Sequence, residues 1–317
     1  YLVSEEWGSG RAVRSGGFNI KGKNSILISG GLNRDLVFRD YEKPAINHNY
    51  VTTESRGLFF SGLIVHDCSS DSAQSAIYLR NISFCNVGNS EIYNNGVLGD
   101  PKIGNDGIYV NNCSYVTIEG CEIYDNMDDG IHMTMADKSY IQNSKIYNHT
   151  SPDVHADGIQ FHGSENRWHV TIRYNEIFNN ESPTQFSSAD FTFYYNLVYD
   201  TTPTTIGNIG IRFQSNNPQK AKIYNNILAY NSINAILGRS SVAEVEIINN
   251  IFWENKSVTG GDAFGPDVSI TNPSEDSYIH HNIYVRREFQ PLNDTVIEWK
   301  GVRYSVDGDL SVLRAVQ

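Results

Sequence analysis

The sequence predicts an all-β chain wound as a parallel solenoid, and three observations predict it. An apolar-aromatic unit recurs: Ile92-Tyr-Asn-Asn, Ile123-Tyr-Asp-Asn, Ile146-Tyr-Asn, Ile177-Phe-Asn-Asn and Val198-Tyr-Asp. The series reaches back to Val65 and on to Leu228, Phe252 and Tyr284, with gaps of roughly 21 to 32 residues, inside the window that marks solenoids. Two positions upstream stand Asn175, Asn196, Asn226, Asn250 and Asn282, preceded in the same slot by Ser90, Cys121 and Ser144. Small polar side chains stacked there can bond each neighbour's backbone at a tight bend, an internal Asn ladder. Third, each repeat carries short apolar alternations, as in Val116-Thr-Ile118, Val170-Thr-Ile172, Phe191-Thr-Phe193 and Val245-Glu-Ile247. These read as short strands between turns, stacked ~4.8 Å apart.

Taken in order, residues 1–60 form an irregular N-terminal region with one clear strand, Ser25-Ile-Leu-Ile-Ser-Gly30, and a loop or distorted coil from Arg39 to Glu54. Residues 61–285 form the regular helix, about nine or more coils on the repeat count, with a Pro/Gly-containing excursion from Asp262 to Asp276. Residues 286–317 form a C-terminal cap: Val296-Ile-Glu-Trp299 and Val302-Arg-Tyr304 pair as a hairpin, and Asp309 to Val316 reads as a short helix. Tyr1 reads as lying inside folded sequence. Charged residues are only 19%, and no run rich in Ala, Leu, Glu and Lys favours helix, whereas 19 Tyr and 14 Phe favour strands. A net charge of -12 without a basic stripe argues against nucleic acid. No apolar run approaches the roughly 20 residues that span a bilayer. Cys68, Cys85, Cys113 and Cys121 lack metal-ligand spacing and read as buried free thiols, with Cys113–Cys121 the one pairing open to them.

The chemistry collects on one face. In each Asp-Gly-Ile unit the Ile points inward, so the next residue and the one two further on point out. One outward column is then Tyr78, Tyr109, His132, Gln160, Arg212 and Leu237; a second is Arg80, Asn111, Thr134, His162, Gln214 and Arg239. Gln185 and Ser187 fill the level between. At the mouth stand Asp106, Asp128, Asp129 and Asp157, with His155 just before the last. Asp-Gly also serves as a plain turn, since Gly accepts positive φ. The doubled Asp128-Asp129 and the neighbouring His155 and Asp157 exceed what a turn needs.

Strand-turn-strand units of this length resemble the right-handed parallel β-helix superfamily, home to pectate lyases, polygalacturonases and phage tailspikes, over roughly Val65 to Tyr284. The order of polar units is similar to that of polygalacturonase-like glycoside hydrolases, whose Asn-Thr-Asp, Asp-Asp, Gly-His-Gly and Arg-Ile-Lys correspond here to Asn105-Asp106-Gly107, Asp128-Asp129, Ala156-Asp157-Gly158 and Arg212-Phe-Gln214. The departures are Asp157 in the His slot, with His155 displaced, Gln214 in the Lys slot, and an Arg slot one coil further on than in that family. The resemblance implies an extracellular enzyme, secreted or on a virion or cell surface, that cleaves a polysaccharide. A homotrimer is compatible with it, and membrane insertion is not expected.

Two mechanisms fit the face, with hydrolysis slightly ahead: the aspartates favour it, and the His/Arg columns favour elimination. In hydrolysis, one of Asp128, Asp129 and Asp157 protonates the glycosidic oxygen and another activates water. Inversion asks for about 6.5–9.5 Å between carboxyl groups, and levels ~4.8 Å apart offer about 5 or 10 Å. In elimination, His132 or His162 abstracts the proton α to a uronate carboxylate, while Gln160, Arg212 or a calcium ion neutralises it. Hydrolysis needs no cofactor or metal; calcium enters only with elimination. The expected catalytic set is Asp128, Asp129, Asp157, His132, His155 and His162. Arg80, Asp106, Tyr109, Gln160, Arg212, Gln214 and Arg239 are expected to bind sugar. A third reading is a virion fibre or adhesin whose face only binds.

Overall fold

The computed structural model of the chain describes residues 2–3, 12–14, 18–20, 25–34, 36–41, 44–49, 55–68, 75–96, 106–150, 156–162, 168–187, 190–200, 209–214, 220–231, 234–239, 244–255, 268–270, 276–286, 296–299 and 302–306. Among them the regular elements are all strands, and no helix is long and apolar enough to cross a membrane.

Each turn of the solenoid lays down three strands, one on each of three faces. On face A stand Ser75–Arg80, the first half of Asp106–Glu119, Ile131–Asp137, Asp157–His162, Ser182–Ser187, Ile209–Gln214 and Asn234–Arg239. Face B follows in the same chain order, for example Ser139–Gln142, His169–Arg173 and Asp190–Tyr194. Face C carries three-residue strands such as Glu122–Tyr124, Lys145–Tyr147 and Glu176–Phe178. Neighbouring levels pair in parallel and in register.

The expectation of nine or more coils is corrected: the regular helix makes about six turns. The seven full-length face-A strands, from Ser75–Arg80 to Asn234–Arg239, are separated by six steps. Outside that span face A shrinks to Ile46–Asn49, Phe18–Asn19 and Val268–Ile270, of four, two and three residues. The aromatic slot belongs to face C and persists where face A does not, so counting it overcounts full turns. At the C-terminal end Val296–Trp299 and Val302–Val306 pair antiparallel, the expected hairpin. The stretch expected to be helical, Asp309 to Val316, lies outside the described residues.

Alternation places the apolar residues inside. Ile77, Ile108, Ile131, Ile159, Ile211 and Ile236 fill one inward column of face A, all fully buried. Leu79, Val110, Met133, Phe161, Phe186 and Phe213 fill the other. The four cysteines are buried and unpaired by disulfides.

Two internal ladders hold the corners. Between faces B and C, Asn175 Nδ2 donates to Asn196 Oδ1 at 3.0 Å and to Ile141 O at 2.9 Å; Asn196, Asn226, Asn250 and Asn282 continue the chain of amides. This is the ladder the sequence predicted, and Ser144 extends it by accepting from Cys121 N. A second ladder, unpredicted, closes the corner from face C to face A. There Asn95 donates to Asn126 Oδ1 at 2.8 Å, Asn126 N donates to His149 Nδ1 at 3.3 Å, His149 N to Asn180 Oδ1 at 3.1 Å, and Asn231 to Asn255 Oδ1 at 2.8 Å. Its members stand one residue after a left-handed corner position held by Asn94, Asp125, Asn148, Asn179, Tyr230 and Glu254.

That second ladder explains the glycine of each Asp-Gly-Ile unit. Positive φ is not the reason, because Gly107, Gly130 and Gly158 are absent from the left-handed region. A Cβ on Gly107 would lie 3.0 Å from Asn126 Nδ2, one on Gly158 2.8 Å from Asn180 Nδ2, and one on Gly130 2.5 Å from His149 Nε2. The ladder packs directly against the strand that carries the polar face.

Candidate functional site

The outward columns of face A stack as the alternation requires. Tyr78, Tyr109, His132, Gln160, Gln185, Arg212 and Leu237 are successive partners in one register; Arg80, Asn111, Thr134, His162, Ser187, Gln214 and Arg239 are successive partners in the next. The side chains of Gln214 and Arg239, and the whole of His155, lie outside the described residues. Tyr78 is 8% exposed and leans on Tyr109, 5.2 Å between ring centroids, so it is partly tucked into the wall.

The centre of the face is His132. Its Nδ1 lies 3.4 Å from Asp106 Oδ2 and 3.6 Å from Asp129 Oδ2, so the ring is held between carboxylates from two successive levels. Its Nε2 lies 3.4 Å from Thr134 Oγ1, which in turn accepts from the Tyr109 hydroxyl at 3.4 Å; Asn111 Nδ2 donates to that hydroxyl at 2.9 Å. The His162 ring sits one level on, 5.5 Å away between centroids and tilted by 48°. Asp129 Oδ1 accepts from Asp157 N at 2.8 Å, which ties the mouths of two levels together, and Gln160 Nε2 donates to Asp157 Oδ2 at 3.1 Å. Glu181 Oε2 accepts from Ala156 N at 3.3 Å behind them. Neither Glu181 nor His149, the ladder residue beneath Gly130, was marked by the sequence. The Asn that closes Ile92-Tyr-Asn-Asn, Ile123-Tyr-Asp-Asn and Ile177-Phe-Asn-Asn carried the signal for the second ladder.

Burial sorts the aspartates. Asp106, Asp129 and Asp157 expose only 3%, 2% and 0% of their surface, whereas Asp128, His132, Gln160, His162 and Arg212 are half-buried. Burial raises all four carboxyls, Asp128 and Asp157 to about 7, Asp106 above its usual range and Asp129 well above it; repulsion from neighbouring aspartates adds to it at Asp128 and Asp129, and from Glu181 at Asp157. Burial alone would lower His132, but Asp106, bonded to it, with Asp128 and Asp157 nearby, carries it above the ordinary imidazole value. Burial and the neighbouring His132 push His162 below that value. Two imidazoles one level apart are thus driven in opposite directions.

Asp106, Asp129 and His132 are also the group best placed to hold a metal, with one ligand atom from each all within 4.8 Å of one another. Two carboxylates and an imidazole nitrogen suit a transition-metal ion. They match calcium poorly, since calcium takes about 6–8 oxygen ligands.

A family model described as a right handed beta helix region matches residues 75–252. No curated protein matches the chain. Among solved structures, that of the pectate lyase Pel9A is similar, at 11% identity and a TM-score of 0.56, with 78% of this chain and 70% of that one covered. The A-module of the mannuronan C-5 epimerase AlgE6 from Azotobacter vinelandii aligns at 12% identity and a TM-score of 0.37, over 86% of this chain and 92% of that one. The likeness to Pel9A is one of fold.

Proposed function

The chain belongs to the right-handed β-helix family, and from that premise we propose that it acts on a polysaccharide and cleaves an acidic one by β-elimination on face A. The observation that carries this reading is the opposed pair His162 and His132, 5.5 Å apart, one pushed below the ordinary imidazole value and the other above it. Groups whose surroundings push their pKa values apart make an acid and a base. Neutral His162 takes the proton from the carbon α to the uronate carboxylate. The electron pair forms the new C=C bond as the C–O bond to the leaving sugar breaks, and the His132 imidazolium gives its proton to that oxygen. Gln160 and Arg212 face the uronate carboxylate; Arg212 is close enough for its charge to be felt at Asp157. Asp106 holds His132 above its ordinary value, and Asp106 and Asp129 together orient its ring. The name of Pel9A, a pectate lyase, supports a polyuronate as the substrate class.

Hydrolysis is the second reading, and Asp128 favours it: a half-buried carboxyl raised to about 7 is a fit general acid. It also needs a second carboxylate in reach of the sugar, and the other three aspartates are at most 3% exposed. That burial is why elimination is preferred.

The test is a panel of polyuronates and neutral polysaccharides, read for both reducing ends and the ultraviolet absorbance of an unsaturated uronate. Elimination yields both on a polyuronate. Reducing ends without absorbance would establish hydrolysis, and neither would leave a binding protein. A chelator should leave the rate unchanged, since His132 Nδ1 cannot hold a proton and a metal together. Loss of activity on chelation, restored by a transition metal, would replace the His132 acid with a metal at the same three residues.

A further inference from the structure

Face B and its corner with face C carry a second polar and aromatic cluster that the proposed reaction does not use. Arg173 stands at its centre. Its Nε and Nη2 donate to Gln142 Oε1 at 2.9 and 2.8 Å and its Nη1 to the Tyr194 hydroxyl at 2.8 Å, and no carboxylate pairs with it among the described residues. The lysines further along the same face are neutralised, Lys220 by Glu244 at 2.6 Å and Lys222 by Glu246 at 2.9 Å. The guanidinium carbon lies 5.6 to 5.9 Å from the ring centroids of Tyr140, Tyr174 and Tyr194. Tyr140, Tyr174 and Tyr195 are 38%, 50% and 49% exposed, an aromatic surface left open to solvent over three successive levels.

The backbone points the same way. Tyr174 and Tyr195 occupy the left-handed corner position, φ 58° and 55°. Other levels fill that position with Gly62, Asn89, Gly120, Asn143, Asn225 or Asn249, residues that accept positive φ at little cost, and with His281 at the far end; a bulky side chain there is strained. At two adjacent levels, beside the unpaired guanidinium, strain is accepted and rings are displayed, and such outliers gather at functional sites.

We infer that this cluster is a secondary binding site for an anionic polysaccharide strand, lying along the solenoid axis with a uronate carboxylate on Arg173 and sugar faces on Tyr140, Tyr174 and Tyr195. A half-buried cation held by neutral acceptors on a chain of net charge -12 is complementary to a carboxylate, and aromatic rings offer an apolar face to the C–H side of a sugar. The choice of a uronate polymer rests on the proposed function. Arg173 lies on the level of His162, one face away, so the site would hold the polymer beside the groove without touching the reacting bond.

The experiment is affinity electrophoresis in gels containing polygalacturonate, alginate or a neutral glucan, with initial rates on short oligouronates measured in parallel. Arg173→Ala removes the charge; Tyr174→Asn and Tyr195→Asn install the amide that other levels carry at this corner and so preserve the fold. Each change should weaken retardation by a polyuronate about tenfold, the worth of a charge-assisted contact, and leave oligouronate cleavage unchanged. Retardation equal to the parent in all three variants would overturn the site. So would equal retardation by the neutral glucan. A drop in sedimenting mass in the variants would overturn it too, by making the cluster a contact between copies of the chain. Arg173-dependent retardation by a polyuronate that the protein fails to cleave would uphold this site while sinking the elimination mechanism.

Discussion

At the scale of single residues, the chemistry turns on which imidazole the aspartates can reach. His132 Nδ1 lies within 3.6 Å of two carboxylates, while His162, one level on, has burial and a cationic neighbour acting on it. The sign follows for the pH profile. The proposed elimination requires His162 neutral and His132 protonated, so kcat/KM should rise as pH climbs through a midpoint below about 6.5 and fall through one above it. Replacing His162 by Ala should lower kcat at least about 100-fold, with the acid limb abolished. Asp106→Asn keeps a hydrogen-bond acceptor in place but removes the largest influence holding His132 up. Its alkaline limb should move to lower pH with the melting temperature nearly unchanged. An unmoved limb would mean that His132 is not the acid. A residue can thus sit in the site and never touch sugar: Asp157, fully buried, binds Gln160 and presents its amide to Asp129.

At the scale of elements, the two ladders determine where the polar face can stand. Asn226 accepts from Asn196 and donates to Phe193 O and Asn250 Oδ1, all buried, and to the part-buried Tyr224 O. Asn226→Ala would orphan several of these groups and should cost at least about 2 kcal/mol in urea unfolding. His149 replaces Asn in the other ladder at the level beneath Asp129-Gly130, fully buried, with its pKa lowered to about 4 by desolvation. The unfolded chain therefore takes up this proton before the folded one does. Stability tied to His149 is intact above about 6.5 and is lost as pH falls toward 4, up to about 3 kcal/mol for the two to three units of difference. His149→Asn should flatten the acid side of the stability profile, and an unchanged profile would refute that account. Gly130→Ala would press a methyl to 2.5 Å from His149 Nε2 and 2.6 Å from Gly158 O. It should cost about 1–3 kcal/mol, as overpacking does, and because the second clash is with backbone, trimming His149 should not rescue it fully.

At the scale of the molecule, a solenoid turns sequence period into spatial columns, which is why so much was legible. The offset of Asn175, Asn196, Asn226, Asn250 and Asn282 from the aromatic slot located one corner, and alternation after each Asp-Gly-Ile unit located both outward columns of face A. What was not legible depends on packing between levels. The burial of Asp106, Asp129 and Asp157 and the splitting of His132 from His162 arise from neighbours about 23 to 31 residues away, which no local pattern encodes. The glycines looked like turn residues because their true constraint, the approach of Asn126, His149 and Asn180, comes from a ladder whose members lie three residues after the apolar position of each unit. The number of turns was overread because the aromatic slot marks face C alone. The most direct test of the central claim is the rate of unsaturated-uronate formation from a cleaved polyuronate by the parent protein and by His162→Ala, normalised to folded protein. The account predicts unsaturated product from the parent and at least about a hundredfold less from the variant. Cleavage without unsaturation, or a variant as fast as its parent, would contradict it.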